Sequence, residues 1–316
     1  MTADPAIRKF ISDNNTGSER LRFQLAFDVT GDPAFPERAA SRRPESWVSG
    51  HHPRGRVGGD QRRRHPPHAR ERVHAPENIY VHAATLSDDS YQRIAATGGS
   101  VSLSTESELS CGQGYPPSWI LRQHGIPVSL SVDTSVWFSS DLFSAMRSTL
   151  GADRGWEHTK AHEKGETVTH SHLRAEHVVD WATRGGAESL GLGDLVGSLQ
   201  PGKRADVVLI KNDASPSMFP IVNPNGHIAL QASRGDVHTV LVDGKVVKHD
   251  GRLVGDDLAT VHKQIESTVE YLQSELGEPV VGRRMNPDIP ATKILDNPYT
   301  YTEFRTASTH SGEGGL

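Results

Sequence analysis

The alternation of apolar and polar positions predicts short buried strands separated by helices through the first half of the chain. Two segments between strands, SDDSYQRIAATGG and PSWILRQHG, have helical character, with Ser87 as the predicted N-cap of the first and Gly98 as its end. This order is typical of parallel α/β proteins, in which the carboxyl ends of the strands carry the chemistry. The predicted strands are LRFQLAFD (21–28), NIYVH (78–82), SVSLSTE (100–106) and IPVSLSVD (126–133).

The pattern changes in the second half. Helical character covers DLFSAMRSTL and AEHVVDWATRGGAESLG, after which ADVVLIK and TVLVDGKVVK are rich in β-branched residues. Asp243-Gly244 lies between two valine-rich strands and predicts a type I′ hairpin. The segment 258–276 returns to a helical period, with one apolar face. That face consists of Val261, Ile265, Val269 and Leu272.

Three regions follow from these patterns. An α/β part is predicted over residues 1–190, a small β-rich unit over 191–254, and a helix with a loose tail over 255–316. Within the first region, residues 40–74 are anomalous and are predicted to be disordered.

Composition narrows the functional classes. The formal charge of -5 and the pI near 6.4 argue against a generally basic nucleic-acid binder. The single cysteine, Cys111, excludes an internal disulfide framework and fits a reducing compartment. No apolar run approaches the roughly 18 residues of a membrane span, and the N-terminus has no signal-peptide pattern. The sequence is therefore expected to be cytoplasmic.

Two polar residues end predicted strands. Asp133 closes IPVSLSVD, where a carboxylate can bind a metal ion and accept a proton from metal-bound water. His82 closes NIYVH, where an imidazole can contact substrate. From position alone, a turn aspartate and a satisfied core histidine are equally open interpretations.

Several segments together resemble the amidohydrolase superfamily, specifically its cytosine deaminase and triazine hydrolase-like branch. The resemblance covers about residues 78–254 and rests on VHAATLSDDSYQRIAATGGSVSLSTESE, IPVSLSVDTS, GAESLG and GSLQPGKRADVVLI. It implies a metal-dependent hydrolase on a (β/α)8 barrel with a small flanking β-sandwich. On this resemblance, Asp133 corresponds to the metal-binding and proton-accepting aspartate after the eighth strand, and His82 to the histidine after the sixth. Glu106 and Thr105, after the seventh, become candidates for substrate contact, although ordinary loop polarity explains them equally well.

The family pattern is incomplete. It requires an H-x-H pair after the first strand and a histidine after the fifth, and neither is found where expected. Counting back from Asp133 assigns 21–28 to strand four and places strand five within 45–60, so strands one to three are expected to be missing. The predicted fold class is therefore α/β, a partial barrel of about strands 4 to 8 with a C-terminal β-rich unit.

The anomalous segment 40–74 contains the region in which strand five and its histidine are expected. Ten arginines and no lysine lie between Arg38 and Arg72, and the segment has too few apolar residues for a strand or core-facing helix. Such a composition is typical of GC-rich coding DNA read out of frame. Shifting the reading frame by one nucleotide permits TNDDGIRLM in place of DQRRRHPPHA. Over the preceding SGHHPRGRVGG, the same shift permits VTTHAGAWGA, an apolar strand that ends in histidine. A frame-shifted segment is our first interpretation, a nucleic-acid arm the second and a zinc-binding histidine cluster the third.

Two groups of histidines lie outside the family pattern. The first is predicted to consist of disordered surface residues, because no carboxylate or thiolate lies at ligand spacing. The second offers a superficial H-x-H but is predicted to lie on a solvated helix and loop. The groups are His51, His52, His65 and His68, and His158, His162, His170 and His172.

The resemblance thus implies a metal-dependent hydrolase that acts on non-peptide carbon–nitrogen bonds of a small molecule, by deamination or by amide or amidine hydrolysis. Zinc is the expected metal, and would lower the pKa of bound water towards about 7. With only Asp133 as a predicted ligand, metal binding is expected to be weak or lost, since a catalytic zinc has three protein ligands. A catalytically inactive truncated family member remains the alternative, and a basic-arm nucleic-acid-binding protein the third. A homo-oligomer is compatible with the resemblance.

Overall fold

The computed structural model describes residues 9–10, 13, 51–52, 78–84, 86–134, 138–213, 215–255 and 258–276. The predicted strand 21–28, the tail after 276 and all of the arginine-rich segment 40–74 except residues 51–52 lie outside these residues. The described part contains two four-stranded sheets, one in the order β1-β2-β3-β4 and one in the order β5-β6-β7-β8. The chain is therefore an α/β protein, as predicted.

The first sheet is parallel throughout. Ile79 pairs with Ser100, and Val101 pairs with Val128, so the three longer strands end at nearly the same level. All residues of β3 and β4 are buried, which is typical of a parallel strand covered on both faces. The strands are β1 His51–His52, β2 Ile79–Val81, β3 Ser100–Leu103 and β4 Val128–Leu130.

Strand β1 corrects one prediction. The residue pattern predicted no strand in the arginine-rich segment and disordered histidines at 51 and 52, although the count of family strands placed strand five within 45–60. In the structure His51 and His52 pair with Ile79 and Tyr80. A parallel ladder is formed by backbone N–H and C=O groups, so two polar residues can join a sheet edge without an apolar side chain. The strand lies within 45–60 and next to β2, where the strand before NIYVH was expected.

Helices follow the strands of the first sheet. The first runs from Asp88 to Thr97, between Ser87 and a left-handed Gly98 (φ 73°), which confirms both predicted ends. The predicted strand 100–106 was too long, because β3 stops at Leu103 and a helix begins at Thr105. The helices are α1 Asp88–Thr97, α2 Thr105–Ser110, α3 Ser118–Gln123, α4 Leu142–Glu163, α5 Ala175–Asp180 and α6 Gly186–Ser189.

The core lies between the first sheet and these helices. It is formed by buried aliphatic and aromatic side chains, and burial of each aliphatic one contributes about 1.5–3 kcal/mol. Helix α4 covers one side of the sheet, and its buried residues Met146 and Leu150 belong to the core cluster. Further members are Ile94, Val101, Leu103, Leu121, Leu173 and Val178.

The second sheet is antiparallel. Its central hairpin turns at Asp243 and Gly244, whose φ angles are 52° and 75°. Two consecutive positive φ angles define a type I′ turn, so the predicted hairpin is confirmed. The strands are β5 Val207–Ile210, β6 Val237–Val242, β7 Lys245–His249 and β8 Arg252–Leu253, and a one-turn helix α7, Pro224–Gly226, precedes β6.

The last described element is helix α8, Leu258–Leu276, which matches the predicted bounds. Three residues of its apolar face, Val261, Ile265 and Leu272, are exposed. Neither this helix nor any other in the described ranges is long and apolar enough to cross a bilayer.

Gly185 allows a close contact between a helix and the sheet. It ends a single π-turn, Trp181–Gly185, that joins α5 to α6. A Cβ atom at this position would lie 2.2 Å from the carbonyl oxygen of Val128, the first residue of β4. Only glycine lets the two backbones approach this closely without displacement.

We expect Gly185→Ala to lower the free energy of unfolding by about 3 kcal/mol, because the methyl group overpacks against a backbone oxygen that cannot move independently. Gly186→Ala is the matched control. Its Cβ would lie 3.7 Å from the nearest atom, the carbonyl oxygen of Trp181, so alanine should be neutral or favourable by up to about 1 kcal/mol. Urea unfolding of both variants tests this, and equal stabilities would show that the contact is not tight.

Candidate active site

Polar side chains meet at the carboxyl ends of β2, β3 and β4. His82 directly follows β2, Ser104 and helix α2 follow β3, and Asp133 comes three residues after β4. Because the strands are parallel and in close register, these side chains lie at one edge of the sheet. The three strands thus bring together residues far apart in sequence.

His82 lies at the centre of this cluster. Its side chain is 6% exposed, with Nδ1 3.4 Å from Glu108 Oε1 and Nε2 3.8 Å from Asp133 Oδ2. The His82 backbone N–H donates to the carbonyl of Ser102 at 2.9 Å, which ties the residue to β3. The two ring nitrogens therefore face two different carboxyl groups.

Asp133 lies on the more open side of the cluster. Its side chain is 33% exposed, and the hydroxyl of Thr134 donates to Oδ1 at 3.2 Å. The separation of 3.8 Å from His82 Nε2 is too long for a hydrogen bond, so the two side chains face each other without bonding directly. This geometry suits proton transfer to and from a bound molecule.

The backbone is strained at both predicted residues. His82 has φ 68°, the following Ala83 has φ 55° and Asp133 has φ 54°. Non-glycine residues rarely adopt the left-handed region, and such residues cluster at functional sites. The hydroxyl of Tyr91, in α1, donates to the Ala83 carbonyl at 2.6 Å and helps to hold this turn. The strain supports a functional interpretation of the strand ends.

Glu108 was missed by the sequence analysis. Its side chain is fully buried, and Oε1 accepts the backbone N–H of Ser104 at 2.8 Å in addition to facing His82. Among the described residues, none hydrogen-bonds its other oxygen, Oε2. Burial raises the pKa of Glu108, and the hydrogen bonds from His82 and Ser104 offset part of this rise.

The two candidates for substrate contact occupy different environments. Thr105 is buried, and its hydroxyl hydrogen-bonds to that of Thr149 in α4 at 2.7 Å. Glu106 Oε2 accepts the Ser139 hydroxyl at 2.6 Å and the Ser139 backbone N–H at 3.3 Å. Both side chains thus contact neighbouring segments, and their contact with substrate stays a prediction.

A serine pair connects the strand ends. The hydroxyl groups of Ser104 and Ser131, which follow β3 and β4, hydrogen-bond to each other. The Ser131 backbone N–H also donates to the carbonyl of Leu103 at 2.8 Å. These bonds fix the segment that leads to Asp133.

The second group of histidines is exposed, as predicted. His158 and His162 lie on α4, and His170 and His172 lie in the loop after it. His172 Nδ1 lies 2.8 Å from Glu157 Oε1 and its side chain is 77% exposed. His65 and His68 lie outside the described residues.

The raised pKa of Glu108 predicts a specific pH dependence of stability. In the unfolded chain its carboxyl group ionises near the ordinary value of 4.5. Between that pH and the higher pKa of the folded state, the folded protein binds more protons, so the free energy of unfolding falls as pH rises. Glu108→Gln has no proton to lose. In urea unfolding from pH 4.5 upward, the free energy of unfolding of the wild type should therefore fall relative to that of the variant. If the difference between the two free energies does not change with pH, the pKa of Glu108 is not raised by burial.

Known proteins share sequence and fold with this chain. The sequence matches the amidohydrolase family profile over residues 54–247, more than half of the chain. It is 32% identical over 195 residues to a 5-methylthioadenosine/S-adenosylhomocysteine deaminase of Desulforudis audaxviator, a match that covers 61% of this chain and 43% of the relative. The chain therefore spans less than half the length of this curated relative.

Two solved structures have a similar fold. An adenosine deaminase from Xanthomonas campestris with bound zinc is 23% identical, with a TM-score of 0.62 over 72% of this chain and 51% of that one. Atrazine chlorohydrolase from Arthrobacter aurescens TC1, complexed with zinc, is 19% identical, with a TM-score of 0.68 over 82% of this chain and 58% of that one. With its family match and its fold of the TIM-barrel type, this chain belongs to the amidohydrolase family.

Proposed function

We propose that this protein is a hydrolase of non-peptide carbon–nitrogen bonds that deaminates a small aminated heterocycle. The observation that carries the proposal is the pair His82 and Asp133, whose Nε2 and Oδ2 atoms face each other across 3.8 Å at the carboxyl ends of parallel strands. A deaminase needs groups that move protons at the reacting carbon and at the leaving amine. These two side chains supply such groups on strained, well-fixed backbone.

Asp133 is the base in this mechanism. Its partly exposed carboxylate accepts the proton of the attacking water and passes it to the leaving nitrogen, which departs as ammonia. His82 contacts the reacting part of the substrate from the buried side and steadies the charge that develops there. The substrate is a small molecule that reaches the partly exposed Asp133 carboxylate.

Zinc is the metal that the proposal implies, and zinc is bound in both similar structures. Asp133 offers a carboxylate oxygen of the kind that zinc takes. In the described part of the chain, however, no three histidine, cysteine, aspartate or glutamate side chains come together to hold a metal ion. These residues therefore account for one ligand, whereas a catalytic zinc has three protein ligands.

The strands can be placed in the family barrel. We propose that β1 to β4 correspond to strands five to eight, since β2 and β4 lead to His82 and Asp133 in the predicted order. The partial barrel then ends near residue 190, and the antiparallel sheet within 191–254 is the flanking unit. Residues 255–316 form a C-terminal extension that begins with α8.

The relatives suggest which substrates to test. The curated relative is named for deamination of 5-methylthioadenosine and S-adenosylhomocysteine, and one similar structure is an adenosine deaminase. We therefore propose 5′-substituted adenosines as the first class and aminated triazines as the second. Deamination replaces the exocyclic amino group with a carbonyl group, so substrate absorbance changes as ammonia is released.

The test is ammonia release by the purified chain with zinc, measured with 5-methylthioadenosine, S-adenosylhomocysteine, adenosine and a triazine that carries a free amino group. Turnover of one of the adenosines is expected. If none of the four releases ammonia while the protein is folded, the chain is a catalytically inactive family member, and the proposed function is wrong.

A further inference from the structure

The buried carboxyl group of Glu108 has no role in the mechanism above. It lies on α2, and its side chain has no exposure. Burying a carboxyl group costs free energy unless neighbouring groups hydrogen-bond to it. Within the described residues its hydrogen-bonding neighbours are the Ser104 backbone and the His82 ring.

The contact with Ser104 fixes the role of one carboxyl oxygen. A backbone N–H can only donate, so Oε1 is an acceptor at 2.8 Å. If Glu108 is protonated, the acid proton therefore lies on Oε2, which is the oxygen without a partner among the described residues. Oε1 presents a lone pair in either protonation state.

The same oxygen faces His82 Nδ1 at 3.4 Å. A bare Nδ1 would place two lone pairs against each other in a buried space, which is unfavourable at low dielectric. A protonated Nδ1 donates to Oε1 instead. Asp133 Oδ2 lies 3.8 Å from the other ring nitrogen, Nε2, which is beyond hydrogen-bond distance. Glu108 therefore decides between the two ring tautomers of His82.

We propose that Glu108 is a positioning residue that holds His82 in the Nδ1–H tautomer and leaves Nε2, on the side of Asp133, free to accept a hydrogen bond from a bound molecule. The tautomer is independent of any activity, but its catalytic meaning rests on the proposed function. In the neutral resting state, Nε2 accepts a proton or a hydrogen bond from the bound molecule.

The chain contains internal references for both tautomers. His227 Nδ1 lies 3.0 Å from the Asn223 carbonyl, which can only accept, so this ring carries its proton on Nδ1. His177 Nδ1 accepts the backbone N–H of Arg174 at 3.0 Å, so this ring, when neutral, carries its proton on Nε2. The ¹⁵N chemical shifts of these two rings give the reference patterns for the two tautomers, and the shifts of His82 are compared with them.

The experiment is nitrogen NMR of the full chain labelled with ¹⁵N-histidine, at about pH 8, where imidazoles with ordinary pKa values are neutral. Each ring is assigned by the signal that its asparagine variant removes. We expect His82 to show the His227 pattern, a protonated Nδ1 and a bare Nε2. The His177 pattern in the wild type would overturn the proposal.

Two variants separate positioning from mere structural support. Glu108→Gln keeps a carbonyl acceptor for Ser104 and His82, so the His82 pattern should be retained. Glu108→Leu removes the acceptor, so the pattern should shift towards the His177 pattern or a mixture, while His227 is unchanged. An unchanged His82 pattern in a folded Glu108→Leu protein overturns the proposal, and if this variant does not fold, the wild type and Glu108→Gln decide.

The outcomes also distinguish this inference from the proposed function. A His227 pattern for His82 without turnover of any substrate supports the tautomer and refutes the deaminase. Turnover of a substrate together with the His177 pattern for His82 would support the deaminase and refute the tautomer.

Discussion

Asp133→Asn is expected to lower kcat/KM for deamination by about 10³-fold or more, since it removes the group that accepts the proton of the attacking water. Asparagine has the same shape and tolerates the left-handed backbone at this position (φ 54°), so the fold should be retained. Its amide cannot act as a base at neutral pH. Steady-state ammonia release and thermal unfolding of the variant measure the two effects separately.

Asp243→Asn is the matched control. Asp243 has nearly the same backbone conformation (φ 52°) but lies in the hairpin of the second sheet, with Arg204 as a neighbour at 3.9 Å. Its activity should equal that of the wild type. If both variants lose activity equally, or if Asp133→Asn keeps it, Asp133 is not the base.

His82→Asn is expected to lower kcat by about 10² to 10³-fold, with a smaller change in KM. The shorter amide can adopt φ 68° but does not present a ring nitrogen towards Asp133. It also removes the Glu108 contact, so a modest loss of stability should accompany the loss of activity. The measurement is a full kinetic comparison at several substrate concentrations, with urea unfolding alongside.

His172→Asn controls for the loss of a histidine elsewhere. His172 is exposed and contacts Glu157 outside the cluster. Both kcat and KM should be unchanged. A His82→Asn enzyme with wild-type kcat would show that this ring does not take part in the reaction.

The sequence was sufficient for elements whose signals are local. Helix α1 ends at Gly98 because glycine readily adopts the left-handed conformation, and it begins after Ser87, a residue type common at this position although its hydroxyl makes no capping hydrogen bond here. The hairpin at Asp243 and Gly244 was predictable because few other residue pairs allow two positive φ angles. The strand ends were less certain. β3 ends at Leu103, before the polar residues that the prediction included in the strand.

Elements that depend on tertiary contacts could not be predicted. β1 consists of His51 and His52, and its pairing with β2 depends on backbone hydrogen bonds that no side-chain pattern reveals. The π-turn that ends at Gly185 likewise depends on the approach to Val128. In both cases a neighbouring element determines the local backbone.

In the candidate site, the two residues that end strands could be predicted, whereas the buried glutamate of α2 could not. His82 and Asp133 were chosen because they end predicted strands and match the family resemblance, and the parallel register brings them together. Glu106 and Glu108 are two residues apart, so on a helix they face different directions, and the sequence alone does not reveal which one points inward. A glutamate within STESELS has the appearance of a solvated residue, and only the fold of α2 buries Glu108.

The most direct test of the proposed function is ammonia release from 5-methylthioadenosine, measured for the wild type and for Asp133→Asn purified in parallel. We predict sustained turnover by the wild type and a loss of about 10³-fold in the variant, with similar unfolding curves for the two proteins. Equal rates in both proteins would contradict a deaminase that depends on the strand-end aspartate.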